Sequence, residues 1–213
     1  MKRVLIPWSG GADSTYLVLK NLKEGNQVTA FSVRLENNPN QSDREFKSRK
    51  IISDFFYKNY PSNFDYKLFV GRIDVGGSSN LILSQPPIWV LFSHYSQSFS
   101  EIDEVQIGYV MNDDVISYLE DLRNLWKSYR PFVGTKHPNL EFPLIKMKKY
   151  EILDSLPEEI IRNISVCEYY GEENCNCEPC IRHRRELEKT RYYNLQKENV
   201  TKSNQLEFDF NLN

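Results

Sequence analysis

The sequence predicts an α/β fold: a mostly parallel sheet with helices on both faces, followed by a small C-terminal zinc knuckle and helix. Three observations carry this. Short apolar runs alternate with amphipathic stretches through about residue 155, the pattern of strand–helix–strand crossovers, which are right-handed and build parallel sheets. The first apolar run passes directly into a glycine-rich loop and then into a helical pattern. All four cysteines of the 213 residues lie between Cys167 and Cys180.

Taken in order, residues 2–7 are a short apolar run closed by Pro7, hence a buried strand. Residues 12–23 have Tyr16, Leu17, Leu19 and Leu22 at helical spacing, and Gly25 stands where a helix-ending glycine belongs. Residues 27–35 form the second strand and 37–42 a turn-rich loop. Residues 43–57 place Phe46, Ile51, Ile52, Phe55 and Phe56 on the core side of a helix. A third strand covers 65–70 and a glycine-rich loop 71–80. Residues 81–98 read as helix, interrupted or restarted at Pro86 and Pro87. Residues 104–108 are a fourth strand. Residues 113–129 are one long amphipathic helix, carrying Val115, Leu119, Leu122 and Trp126. Residues 140–144 are a connector or strand, and 148–155 a short helix. The organisation is therefore an α/β domain over 1–165, a knuckle and helical appendage over 166–197, and a polar tail over 198–213.

Composition narrows the class. Lys plus Arg is 27 and Asp plus Glu 29, a net charge of -2, which excludes a general nucleic-acid coat. With 40% hydrophobic and 26% charged residues the mix is that of a globular chain. No run approaches the ~18 apolar residues of a membrane-spanning helix, and the N-terminal apolar run is too short for a signal peptide, so a cytoplasmic location is expected. Residues 181–197 hold six bases against two acids, a local balance of +4, which reads as a charged helix face or a docking surface for a macromolecular partner.

The strongest chemical signal is Ser9-Gly10-Gly11-Ala12-Asp13-Ser14, between the first strand and the first helix. Two glycines let the backbone turn sharply and approach an anion. Ser9 and Ser14 supply hydroxyls, and the first N–H groups of the helix point at the same spot. Asp13 repels phosphate directly, so it holds a Mg²⁺ that bridges phosphate oxygens or caps the helix start. The chain has neither the GK[ST] ending of a Walker loop nor a GxGxxG fingerprint. The loop resembles the SGGxDS loop of the PP-loop ATP pyrophosphatases, whose adenine nucleotide alpha hydrolase-like fold grips the pyrophosphate of ATP and transfers AMP.

The cysteines have the spacing C-x7-C-x-C-x2-C. Four thiolates in reach of one another suit a closed, structural Zn²⁺ site made by Cys167, Cys175, Cys177 and Cys180. An iron–sulfur cluster is the rival, and disulfides are disfavoured in a cytosolic chain. His183 is a substitute ligand or, more simply, a solvated helix residue.

Together, the loop and the cysteine knuckle resemble the 7-cyano-7-deazaguanine synthase family. Gln106-Ile107-Gly108 followed by Asn112-Asp113-Asp114, Pro143-Leu144 followed by Lys149-x-Glu151-Ile152, and Ser165-Val166-Cys167 look like further segments of it. The resemblance implies ATP, Mg²⁺ and Zn²⁺, adenylation of the carboxylate of 7-carboxy-7-deazaguanine, attack by ammonia, and a homodimer. It implies ATP contacts from Ser9, Gly10, Gly11, Asp13 and Ser14, with catalytic roles for Asp13, Ser14 and Lys149, and places Ser32 near the adenosine. The family's Arg-Asn pair before the third helix and its substrate segment after the strand-end Asp are altered here. A different carboxylate substrate, small or macromolecular, and a non-catalytic ATP-binding adaptor are the alternatives.

Overall fold

Five short apolar runs become the strands β1 (Arg3–Pro7), β2 (Gln27–Leu35), β3 (Phe64–Gly71), β4 (Glu104–Gln106) and β5 (Asn139–Glu141), joined in one sheet in the order β3-β2-β1-β4-β5. Every pairing is parallel, with Val4 opposite both Val28 and Glu104. The structure is a computed structural model and describes residues 1–35, 39–71, 85–97, 101–111, 113–129, 131, 137–166 and 175–193.

A parallel strand pair needs a crossover, and the crossovers here are helices. α1 (Ala12–Lys23) and α2 (Pro39–Asn59) follow β1 and β2. α3 (Gln85–Gln97) and α4 (Leu119–Ser128) follow β3 and β4. Successive residues of β1 point to opposite faces, and both faces are covered. Val4 and Ile6 pack with Leu17, Val18, Ile52 and Phe56 of α1 and α2. Leu5 packs with Phe31, Trp89, Val90, Leu122 and Trp126, which come from β2, α3 and α4. The first face also receives α5 (Lys149–Ser155), α6 (Glu158–Ile161) and α7 (Glu178–Leu187), with Leu187 and Tyr192 buried in the same cluster as Leu156 and Ile160.

The strand order carries the functional geography. From β1 the chain steps outward to β2 and β3, then returns to place β4 on the other side of β1. The loops leaving β1 and β4 therefore diverge to opposite faces, opening a crevice at the carboxyl ends of these strands where ligands of doubly wound sheets bind.

The elements differ from expectation at several ends. α2 begins at Pro39, inside the expected loop 37–42, because proline is well suited to a first helical turn. α3 begins at Gln85 with Pro86 and Pro87 in its first turn, for the same reason. The expected single helix 113–129 is divided into a 3₁₀ turn, Asp114–Tyr118, and α4. Tyr118 leaves helical geometry (φ −129, ψ 26) between them. Strand pairing at β4 stops at Gln106, although the Ile107 N–H still donates to Glu141 O. Gly25 closes α1 as expected, at φ 76, with Gly25 N–H on Leu22 O and Asn26 N–H on Asn21 O. The glycine-rich stretch from residue 72 to 80, Cys167 and the tail 198–213 lie outside the described residues.

Two buried polar groups shape the core. Trp8 is fully buried, edge-on to Phe64 and Tyr66, and its indole N–H donates to Thr15 Oγ1 at 2.9 Å, tying β1 to α1 across the loop between them. His94 of α3 stacks on Trp126 (4.0 Å between ring centroids) and lies beside Tyr129 and His137. Burial, reinforced by the neighbouring His137, holds His94 down to about 4. It is neutral in the fold, whereas the unfolded chain takes up a proton below about pH 6.5. Stability from this residue is present above pH 6.5 and is lost as pH falls toward 4. Urea midpoints measured over that range fall, and His94→Phe removes part of the slope, because a second histidine, His183, is shifted in the same direction. A variant with the parent's slope would assign it to other groups.

Candidate active site

The loop between β1 and α1 stands at the crevice, and its carbonyls decide what it can bind. Ser9 O accepts Arg49 Nη1–H at 2.9 Å. Gly10 O accepts Ser165 N–H at 2.9 Å and the Ser48 hydroxyl at 3.2 Å. Gly11 O accepts Thr15 N–H, the first bond of the helix. All three negative dipole ends are thus occupied by protein donors. The N–H groups of Ala12, Asp13 and Ser14 have no partner among the described residues, as expected of a helix start, and the three residues line the cavity. Gly10 permits the turn with φ +86, and a Cβ there would lie 3.0 Å from Arg49 Cγ. The Ser9 and Ser14 hydroxyls are 3.2 Å apart at the rim. Such a loop is a cradle for an anion.

The cavity it opens into has a volume of about 570 Å³. It brings together Ser9, Gly11, Asp13, Ser14 and Lys149 of the expected site. Gly10 forms the turn behind them. Ser32 is placed elsewhere: it is fully buried and its hydroxyl donates to Trp8 O, closing the seam between β1 and β2.

Asp13 and Lys149 form an ion pair through Asp13 Oδ2 and Lys149 Nζ. Lys149 is held there by its own helix start, where Glu151 accepts the Lys148 N–H at 2.8 Å while Ile152 is fully buried beneath. The Lys-x-Glu-Ile segment is therefore one device: a cation at the rim, a cap behind it and a core anchor. Asp13 Oδ1 is buried and without a partner among the described residues. Asp113 faces the same space. Burial pushes its carboxyl up, the Val110 N–H donated to it at 2.8 Å pulls down, and the Asp13 charge adds to the rise. Two carboxylates sharing a cavity, one with a spare buried oxygen, suit a divalent cation, and Mg²⁺ fits this oxygen donor set.

Sequence reasoning missed several residues here. Glu178, Pro179, Arg182 and His183 of α7 form one wall. His183 is half-buried and faces the cavity, in place of the solvated position expected. Burial pushes it down to about 4, with the Lys149 and Arg184 charges acting in the same direction, so it is neutral at pH 7. Tyr109 also lines the cavity. Its hydroxyl is buried without a partner among the described residues, and burial raises its pKa. The bases of the +4 segment are partly engaged within the protein. Arg184 donates to Cys175 O and Asn176 Oδ1, Lys189 pairs with Glu186, and Arg191 donates to Leu156 O.

α7 starts at the cysteines, with Cys177 as its N-cap and Cys180 in its first turn. The Sγ atoms of Cys175, Cys177 and Cys180 all lie within 4.8 Å of one another. Zn–S bonds of about 2.3 Å in a tetrahedron need sulfurs a little under 4 Å apart, so three thiolates here fit a zinc ion with a small adjustment. Cys167, the expected fourth ligand, lies outside the described residues.

Gly108, at the end of β4, packs against the loop itself. A Cβ at this position would lie 3.2 Å from Asp13 C, Asp13 O and Ser14 Cα, all backbone. Gly108→Ala should push the helix start aside by a few tenths of an ångström, with a stability loss of about 1 kcal/mol read by urea denaturation. An unchanged midpoint would show that the loop yields without consequence.

No family model and no curated protein sequence matches the chain. Among solved structures, the NMN synthetase from Francisella tularensis is similar with a TM-score of 0.30 and 14% identity, over 75% of this chain and 64% of that one. Among the described residues no helix is long and apolar enough to cross a membrane.

Proposed function

We propose that this chain is an ATP-dependent carbon–nitrogen ligase that transfers AMP to a carboxylate, with 7-carboxy-7-deazaguanine and ammonia as substrates and 7-cyano-7-deazaguanine as product. The observation that carries the ATP half is the loop whose carbonyls are all occupied by protein donors while the residues bearing its unpartnered N–H groups line a cavity shared with Lys149. The likeness of SGGADS, the Lys-x-Glu-Ile segment and the cysteine spacing to one family supports the acceptor.

The chemistry follows from charge. A carboxylate is a poor electrophile because its oxygen leaves badly, whereas AMP leaves well. In the first step a carboxylate oxygen attacks the α-phosphorus, the bond to the β-phosphate oxygen breaks, and pyrophosphate leaves. The free N–H groups of Ala12, Asp13 and Ser14 and the hydroxyls of Ser9 and Ser14 hold the departing pyrophosphate. Lys149 offsets its growing charge. Ammonia then attacks the acyl carbon, giving up a proton as AMP departs and leaving an amide. A second ATP adenylates the amide oxygen, and loss of AMP with the amide's protons leaves the nitrile. Mg²⁺, when bound, would be held by Asp13 with Asp113 and would neutralise phosphate oxygens. Zn²⁺, held by Cys175, Cys177 and Cys180 with Cys167, would brace the start of α7 and with it the Arg182–His183 wall.

A second reading keeps the ATP site and changes the acceptor, because the family's substrate segment is replaced here by residues 115–118.

The test is pyrophosphate release from ATP with 7-carboxy-7-deazaguanine and ammonium. Turnover that falls about 100-fold or more in Asp13→Ala is expected. ATP cleavage only with other carboxylates would transfer the proposal to the second reading, and ATP binding without cleavage on any acceptor would favour an adaptor. Metal analysis should find about one zinc per chain, lost in Cys180→Ser; iron with visible absorption would replace zinc by an iron–sulfur cluster.

A further inference from the structure

The loop's outward-turned carbonyls need a holder, and one residue outside every motif supplies it. Arg49 of α2 is 1% exposed, one of the largest fully buried side chains. Its Nη1 donates both to Ser9 O at 2.9 Å and to Glu45 Oε2 at 3.0 Å, and its Nε donates to Tyr66 OH at 3.2 Å. Its Cγ closes the space behind Gly10. Glu45 itself lines the cavity, so a carboxylate stands beside the anion cradle with the guanidinium against it.

A buried guanidinium is costly to desolvate, and hydrophobic packing would serve stability as well or better. Its place here is explained by geometry. A planar fork can reach a loop carbonyl, a carboxylate and a phenol at once, which neither an apolar side chain nor an ammonium can do.

We propose that Arg49 is the positioning residue of the anion loop: it turns the Ser9 carbonyl away from the cavity and offsets the Glu45 charge at its edge. It does not touch the anion. It fixes the peptide planes whose N–H groups do. This inference rests on the reading of the loop as a pyrophosphate site, and two readouts separate the two claims.

The first readout is hydrogen exchange of the bonded amides that report the loop, Gly11 (on Ser9 Oγ), Thr15 (on Gly11 O) and Ser165 (on Gly10 O), in the full-length protein without ligand, against the sheet amides of Val4 and Val28. The second is calorimetric affinity for inorganic pyrophosphate. Arg49→Met should speed loop exchange about tenfold while the sheet is unchanged, and weaken pyrophosphate about tenfold. Arg49→Lys, which keeps the charge and loses the fork, should fall between, at about threefold in each; it also serves if Arg49→Met does not fold. Loop exchange and affinity within twofold of the parent in either variant, or loop and sheet amides accelerating together, would overturn the positioning role. A parent that binds no pyrophosphate, with loop exchange still responding to Arg49, would sink the pyrophosphate reading and leave the clamp standing.

Discussion

An anion site made of backbone is only as good as the direction of its peptide planes. In this molecule that direction is set by where three carbonyls go. Each of Ser9, Gly10 and Gly11 exposes its oxygen to a donor from elsewhere: a guanidinium and a hydroxyl from α2, an N–H from residue 165, and the first N–H bond of α1. Were any of these oxygens to swing into the crevice, it would present negative charge beside the unpartnered N–H groups of Ala12, Asp13 and Ser14. The sheet order, the position of α2 and the return of the chain at residues 163–165 can all be understood as supplying these donors. Ser48 makes the connection explicit, since its hydroxyl contacts both Gly10 O and Asn163 O.

The ionic layer is built on top of this. Asp13 and Lys149 neutralise one another across the mouth, and Asp113 sits beneath with its carboxyl pushed up. On the proposed function, a bound polyanion would draw Lys149 toward phosphate and release Asp13 Oδ2, adding to the oxygen that is unpartnered among the described residues. Anion and cation would then enter the cavity together, because each removes the partner of a group the other needs. His183, neutral beside Lys149, completes the wall without adding charge of its own.

Much of this was legible in the sequence, for identifiable reasons. The Ser-Gly-Gly-Ala-Asp-Ser loop could be read because its requirements are local: glycine for a positive φ, hydroxyls at the rim, an acid in the first turn. Lys149 was singled out only through the family resemblance of its Lys-x-Glu-Ile segment, since by charge alone it is indistinguishable from Lys146 and Lys148. The alternation of strands and helices gave the parallel sheet because period and length are local properties too. Arg49 was not legible. In the run Lys47-Ser48-Arg49-Lys50 it looks like surface charge, and only the packing of α2 under the loop buries it. His183 was misjudged for the same reason: a helix of bases looks solvated until one face is laid against a cavity. Ser32 failed in the opposite sense, since a polar residue at a strand end suggested a ligand contact and proved to serve a neighbouring carbonyl. The long helix 113–129 has unbroken apolar spacing, which carries no signal of its division into a 3₁₀ turn and α4 at Tyr118.

The cradle is contributed by residues 9–14, and the opposite wall by residues 178–183, with the Gly10 carbonyl held by residue 165. The two sides of the site are therefore separated by most of the chain, so its closure entropy is large and cannot be recovered by local structure alone. The carbonyl holders come from residues 15, 48, 49 and 165, so the cradle is complete only once residue 165 has folded back onto it, and the cavity only once α7 has docked opposite. The candidate site is thus assembled last, from parts that the sheet alone does not supply.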